Sequence, residues 1–227
     1  MKKPIILITG GPAFDKKYNL ESRMLNATYP SAVSNAGGIP ILELDNNAQD
    51  EYLEMVDGII FTGTHFYTFD PANDFWPTYL ERLDRESEFI KKAIATKKPI
   101  YGICQGCHLI NEVLGGEIIK FFKREEGVEH YNFPHPVKST KDSLLNKLFG
   151  DEFMVNSFHH YKIGKLAPCL KVTALSEDNV IEAYEHESLP VYGFQFHPER
   201  MIGDFHDTPT GPDAIELFKH FVDLCRK

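Results

Sequence analysis

Residues 99–116 read PIYGICQGCHLINEVLGG, and within them Cys104, Cys107 and His108 form the run CQGCH. Those residue types at that spacing suit four chemistries. They are thioether attachment of a c-type haem, metal ligation, thiol–disulfide exchange and a single thiolate nucleophile. The amino-terminal MKKPIILITGGP is basic and then apolar, but its apolar run is only Ile5 to Ile8 before Thr9-Gly10-Gly11. This is too short for a signal peptide or a membrane span. A cytoplasmic location is therefore expected, and it disfavours haem attachment, which needs export. It also disfavours a disulfide framework, because four cysteines in a reducing compartment stay as thiols. A zinc site would need a second ligand pair, and Cys169 and Cys225 stand far apart without C-x-x-C or H-x-x-x-H company. No metal site is expected from these cysteines, and a nucleophile is left as the reading to test.

Position decides what Cys104 can do. Four short apolar runs, at 4–9, 39–44, 57–63 and 98–103, read as buried strands, while 20–36, 48–55 and 78–96 carry helical spacing. The alternation predicts a parallel sheet with helices on both faces, a doubly wound α/β fold. Cys104 follows the fourth strand directly. From Gln105 the chain reads as a helix whose apolar face is Leu109, Ile110, Val113 and Leu114, ending at Gly115-Gly116. A cysteine on such a strand-to-helix turn, flanked by Gly102 and Gly106, projects above the carboxyl edge of the sheet. The helix amino terminus favours its thiolate, and the Gln105 N–H is placed to hold an oxyanion.

A nucleophile needs a base, and the base an orienting group. The stretch YGFQFHPER supplies His197 and, two residues on, Glu199, whose side chains leave an extended chain on the same side. A carboxylate beside imidazole fixes its tautomer and stabilises the imidazolium. The tripeptide HPE also reads as a mere strand exit ended by proline, and sequence separation alone does not bring it to Cys104. In the second half, 171–176, 180–185 and 191–196 are β-like with short links and predict an antiparallel extension of the sheet. A last helix is expected at about 211–226. Residues 64–77 and 121–136 are aromatic, proline-containing and aperiodic, and read either as packed surface loops or as a lid over a substrate. Phe66, Tyr67, Phe69, Phe75 and Trp76 supply the aromatics of the first.

Taken in order, GICQGCHLINEVLGG, VNSFHH and GFQFHPE resemble the class I glutamine amidotransferase-like superfamily. Within it the best likeness is to the γ-glutamyl hydrolase-like branch, cysteine peptidase family C26, which includes γ-glutamyl-γ-aminobutyrate hydrolases. DGIIFTG, HPV, LAP and VIEAYE are similar to further landmarks of that branch, so the resemblance covers most of the chain. It implies a flavodoxin-like sheet and a catalytic set with Cys104 as nucleophile, His197 as base and acid, and Glu199 as its partner. It also implies an oxyanion held by backbone N–H groups of Gly63, Thr64 and Gln105. His108, His159, Phe66 and Trp76 are the expected substrate-binding residues. Cys107, Cys169 and Cys225 become ordinary small apolar side chains. No cofactor is implied. Two positions depart from the branch: Gly63-Thr64-His65-Phe66 replaces its usual Gly-Gly-x-Asp, and His108 stands where a glutamine is usual. The first touches the backbone conformation of the oxyanion loop, because a β-branched Thr resists positive φ, and the second the contact with the glutamyl head group.

The 227 residues suit one domain spanning 1–227. Lys and Arg number 24 against 33 Asp and Glu, a net charge of −9 that would repel a phosphate backbone. The expected partner is a small γ-glutamyl molecule, with no nucleic acid and no membrane; a homodimer is compatible with this. The expected reaction is cysteine-dependent cleavage of a γ-glutamyl amide through a glutamyl thioester. A glutaminase subunit delivering ammonia to a separate synthetase is the second reading. A non-catalytic binding or regulatory protein on the same fold is the third.

Overall fold

The computed structural model describes residues 2–15, 18, 20–63, 75–120, 130–208 and 210–226. In chain order its strands and helices are β1 (Ile5–Thr9), β2 (Gly11–Asp15), β3 (Leu20–Met24), α1 (Thr28–Asn35), β4 (Ile39–Glu43), α2 (Gln49–Met55), β5 (Gly58–Phe61), α3 (Phe75–Ala95), β6 (Ile100–Ile103) and α4 (Gln105–Val113). There follow β7 (Glu117–Lys120), β8 (His135–Ser139), α5 (Leu144–Phe149), β9 (Glu152–Val155), β10 (Tyr161–Lys165), β11 (Leu170–Ser176), β12 (Ile181–His186), β13 (Val191–Phe194) and α6 (Ile215–Leu224).

Nine strands form one sheet in the order β4-β1-β5-β6-β13-β12-β11-β8-β9. The first five pair in parallel, the flavodoxin-like order 2-1-3-4-5, and the rest continue antiparallel. Strand alternation divides the core into two. Ile6 and Ile8 of β1 pack with Tyr29 and Val33 of α1 and with Leu217, Phe218 and Phe221 of α6. Leu7, on the opposite face, packs with Leu53 of α2, Phe89 and Ile90 of α3 and Ile110 of α4. Strands buried on both faces need unbroken apolar runs, which is why the parallel strands read so plainly. Tyr101 of β6 is buried among Phe194, Phe218 and Phe221, and its hydroxyl donates to Leu217 O at 3.0 Å.

The parallel strands and the helices at 48–55 and 78–96 stand where the spacing predicts them, within a few residues. Residues 20–36 are different: Leu20–Met24 is a strand paired with β2, and helix begins only at Thr28, where Asn26 Oδ1 accepts the Thr28 N–H at 3.1 Å. Leu20 and Met24, four apart, imitate a helical face while belonging to a hairpin. The expected antiparallel 191–196 is also corrected. β13 is antiparallel to β12 but parallel to β6, Val191 lying beside Ile100 and Phe194 beside Ile103. The short link from β12 is visible in the sequence; a partner some ninety residues away is not. Within 121–136, His135 opens β8, and α6 is shorter at both ends than the expected 211–226. No helix among the described residues is long and apolar enough to cross a membrane.

Candidate active site

Cys104 stands between β6 and α4 with φ 51° and ψ −105°. A left-handed φ on a residue with a side chain costs on the order of 1–3 kcal/mol and persists only where neighbours enforce it. Here the Cys104 N–H donates to Phe194 O at 2.7 Å, and its carbonyl accepts the His108 N–H at 3.2 Å as the first bond of α4. The flanking glycines permit the turn. A Cβ on Gly106 would lie 2.1 Å from Phe61 O, and one on Gly102 would lie 2.6 Å from Ile110 Cδ1 and 2.9 Å from Cys107 N. Both positions must be bare for the helix to sit on β5 and β6, and that seating holds the sulfur above the carboxyl ends of the strands.

His197 follows β13, and its main chain is gripped at both ends by one side chain. The His197 N–H donates to Asn156 Oδ1 at 2.8 Å, and Asn156 Nδ2 donates to His197 O at 2.9 Å. The ring donates through Nδ1 to Glu199 Oε1 at 2.7 Å, which leaves its other nitrogen for the Cys104 sulfur, with which it shares a hydrogen bond. Burial by itself would lower the imidazole pKa. The Glu199 carboxylate and then the Cys104 sulfur outweigh burial and raise it to about 10. The ring is thereby biased toward imidazolium. Gly63, at the end of β5, lines the same space: a Cβ there would stand 2.8 Å from His197 Cε1 and 3.2 Å from Cys104 Cβ. Cys104, His197 and Glu199 thus meet at the carboxyl edge of the sheet, while Cys107, one turn along, is buried and its thiol is pushed well above the ordinary range by burial.

The other expected site residues are distributed differently. The Gly63 N–H, expected to face an oxyanion, donates to Tyr29 Oη at 3.0 Å. Gln105 opens α4, where first-turn N–H groups lie outside the helix's own ladder. His108 is buried, and its Nε2 donates to Gln195 Oε1 at 2.5 Å; the Gln195 amide in turn reaches the Cys104 sulfur at 4.0 Å. It therefore meets the nucleophile through Gln195, and burial pushes its pKa down to about 4. His159 lies with its Nε2 3.5 Å from Glu182 Oε1. Thr64, His65 and Phe66 lie outside the described residues, as do Tyr67, Phe69 and 121–129. Of Phe75 and Trp76 only the helical backbone is described, so the reading of 64–77 and 121–136 as loops or lid falls mostly outside the described residues.

Three residues of the site were not expected from the sequence. Asn156 grips His197; Gln195 joins His108 to the sulfur; Tyr29 accepts the Gly63 N–H beside Glu199 and Cys104, whose proximity adds to burial in raising its own pKa. Gln195 carried a signal, since it stands two residues before His197 in the run GFQFHPE, directly after β13. Asn156 and Tyr29 reach the site by tertiary folding alone.

A strand-to-helix cysteine beside a carboxylate-bonded histidine, at the carboxyl edge of a flavodoxin-like sheet, defines the class I glutamine amidotransferase superfamily. A family model described as peptidase C26 matches residues 4–199, and the chain belongs to that family. It is 30% identical to protein NtpR of Enterococcus hirae over 240 aligned residues, covering 96% of this chain and 98% of that one. Two crystal structures share the fold. One is a candidate GMP synthase component of Thermoplasma acidophilum, with a TM-score of 0.73 and 18% identity, covering 100% of this chain and 96% of that one. The other is a glutamine amidotransferase of Thermotoga maritima, with a TM-score of 0.65 and 14% identity, covering 100% and 97%. Family membership supports a cysteine-type amide hydrolase or glutaminase role, that is, cleavage of a carbon–nitrogen bond.

Proposed function

We propose that the chain hydrolyses the γ-glutamyl amide bond of a small γ-glutamyl amine through a glutamyl thioester on Cys104. The observation that carries this is the contact of Cys104, at φ 51°, with a His197 whose opposite nitrogen is bonded to Glu199. The thiolate attacks the amide carbonyl, and the oxyanion settles against the first-turn N–H groups of α4, that of Gln105 first. The Gly63 N–H reaches the same oxyanion only by releasing Tyr29. His197, already imidazolium, gives its proton to the departing amine as the carbon–nitrogen bond breaks. Neutral His197 then takes a proton from water, which attacks the thioester; collapse frees glutamate and restores thiolate and imidazolium. Glu199 holds the ring in the one tautomer that serves both steps.

The departure at His108 bears on the substrate, because it acts through the Gln195 amide beside the sulfur. The aromatic composition of 64–77 favours an apolar or cationic leaving amine. The test is a panel of γ-glutamyl amines and glutamine, with free glutamate measured for wild type, Cys104→Ser and Cys104→Ala. Mass spectrometry of the quenched enzyme should find glutamyl thioester on Cys104, and iodoacetamide should label Cys104 well before Cys107. Faster turnover of glutamine than of any amine would replace the amine by ammonia and make the chain a glutaminase. Absence of thioester and turnover throughout the panel would favour a binding protein.

A further inference from the structure

A second cluster of chemical groups lies away from the cysteine. His130, His135, His159 and Glu182 are all buried, Glu182 and His130 at 0% exposure, and each presents one ligand atom within 4.8 Å of all the others. Glu182 Oε1 is the hub: His130 Nδ1 lies at 3.5 Å, His135 Nε2 at 3.6 Å and His159 Nε2 at 3.5 Å. These separations exceed the roughly 2.7–2.9 Å of a charge-assisted N–H···O bond. They match the edge of a tetrahedron instead. With metal–ligand distances of about 2.0–2.1 Å, ligands of a tetrahedral zinc ion stand about 3.3–3.4 Å apart.

The far side of each ring is already engaged. His130 Nε2 is 3.1 Å from Asp178 Oδ2, His135 Nδ1 is 3.2 Å from Pro136 O, and His159 Nδ1 is 2.9 Å from Tyr161 O. Carbonyl and carboxylate oxygens only accept, so each ring donates outward, and in its neutral form turns a lone pair toward Glu182. Asp178 is itself held by Ser176 Oγ at 2.5 Å. Metal-bound histidines are oriented by this kind of outward hydrogen bond. Among the described residues neither Glu182 carboxylate oxygen, nor His135 Nε2, has a hydrogen bond of good geometry; the imidazoles of His130 and His159 face the carboxylate at 3.5 Å without closing on it. A buried carboxylate left in that state is costly unless a cation meets it. Backbone bonds fix the geometry: the His159 N–H donates to His130 O at 2.9 Å and Asn132 N–H to Ser157 O at 2.8 Å, while Glu182 lies inside β12.

We propose that His130, His135, His159 and Glu182 form a binding site for one divalent transition-metal ion, zinc by its donor set, with a structural role. Three neutral imidazoles and one carboxylate suit zinc's preference for nitrogen and oxygen in tetrahedral array. Four protein ligands in a dry setting close the coordination sphere and leave no place for a reacting water, which assigns the ion to structure. It would tie the segment before β8, the first residue of β8 and the turn before β10 to β12. Separations of 5, 24 and 23 residues hide the group from any search on short motif spacing. The inference does not rest on the proposed reaction.

The experiment loads the full chain with zinc after chelator treatment, removes excess by gel filtration, and measures metal by plasma mass spectrometry. One equivalent per chain is expected. It should be retained in Cys104→Ser and lost separately in His135→Gln and in Glu182→Gln. The wild-type unfolding midpoint should rise by roughly 5–10 °C at free zinc a hundredfold above Kd, and the midpoints of the two ligand variants should not respond. Cobalt(II) in place of zinc should give the intense visible bands of a tetrahedral site in wild type and in Cys104→Ser. Wild type that retains no metal and shows no shift would overturn the proposal whether or not the variants fold. So would metal retained in both ligand variants, or lost in Cys104→Ser.

Discussion

Replacing Gly63 by alanine places one carbon atom in the middle of the site. Its Cβ would stand 2.8 Å from His197 Cε1, 3.2 Å from Cys104 Cβ and 3.3 Å from Tyr29 Oη. Ordinary contact needs about 3.4 Å or more, so the imidazole must retreat by about 0.6 Å. It cannot do so freely, because Asn156 grips its backbone at two points and Glu199 holds Nδ1. Gly63 is not among the positive-φ glycines, so the substitution carries no penalty of backbone conformation and the effect is one of space. Overpacking of this kind costs about 1–3 kcal/mol of stability. A displacement of somewhat under 1 Å in a general base costs up to about 10²-fold in rate. Gly63→Ala is therefore expected to lower kcat/KM for the best γ-glutamyl amide by about 30- to 100-fold while the protein remains folded. The control is Gly38→Ala, whose Cβ would meet Val33 Cγ1 at 2.9 Å and Ile6 Cδ1 at 3.0 Å in the core. It should cost similar stability and leave kcat/KM within twofold. Steady-state kinetics and urea midpoints on the three proteins decide it. A Gly63→Ala enzyme within threefold of wild type, or a Gly38→Ala enzyme equally impaired, would refute the claim that this atom acts on the position of His197.

The pKa of His197 lies at about 10, above the ordinary value of about 6.5, so its stabilising effect is fully present below pH 6.5 and is lost as pH rises toward 10. Urea midpoints from pH 6 to 10 should fall in wild type and fall less steeply in His197→Gln; parallel curves would count against it. His108 has the opposite sign. Burial lowers its pKa to about 4, so the unfolded chain takes up a proton first and stability is lost as pH falls from 6.5 toward 4. His108→Gln should flatten that acid limb without moving the pH–rate profile between 6 and 8, and a profile that shifts there would return His108 to direct contact with substrate.

What was legible in the sequence follows from range. β1, β5 and β6 are buried on both faces, so their composition alone declares them. The elbow was legible because its parts are consecutive: a strand, two glycines that let a helix sit close, and an apolar helical face. His197 and Glu199 were legible as a pair because they are two residues apart, although the chain between them is a 3-10 turn over Pro198–Arg200 and not the extended segment expected. The pairing of β13 with β6, the Asn156 grip and the Tyr29 contact join residues 34 to 91 positions apart, and nothing local encodes them. β2 and β3 were missed for a different reason, since a hairpin with Leu20 and Met24 four residues apart satisfies a helical template that tertiary pairing overrides. His108 shows the remaining limit. Its place four residues after Cys104 was correctly read as one turn along the helix, but only the fold supplies Gln195 as the group between it and the sulfur.

Gln195 also explains why the antiparallel half of the sheet belongs to the site's construction. Its N–H donates to Glu182 O at 2.8 Å, so the segment leading to His197 stays in register with β12 beyond the end of β13. The same Glu182 sends its side chain to His130, His135 and His159. Ser157, which fixes His130 O through its hydroxyl at 2.8 Å, is the neighbour of Asn156, which fixes His197. Two short paths, one through β12 and one through residues 156–157, thus join the histidine cluster to the base that faces Cys104. An ion closing the cluster would hold both paths at once, and its loss would loosen His197 from two sides while leaving Cys104 seated on its helix.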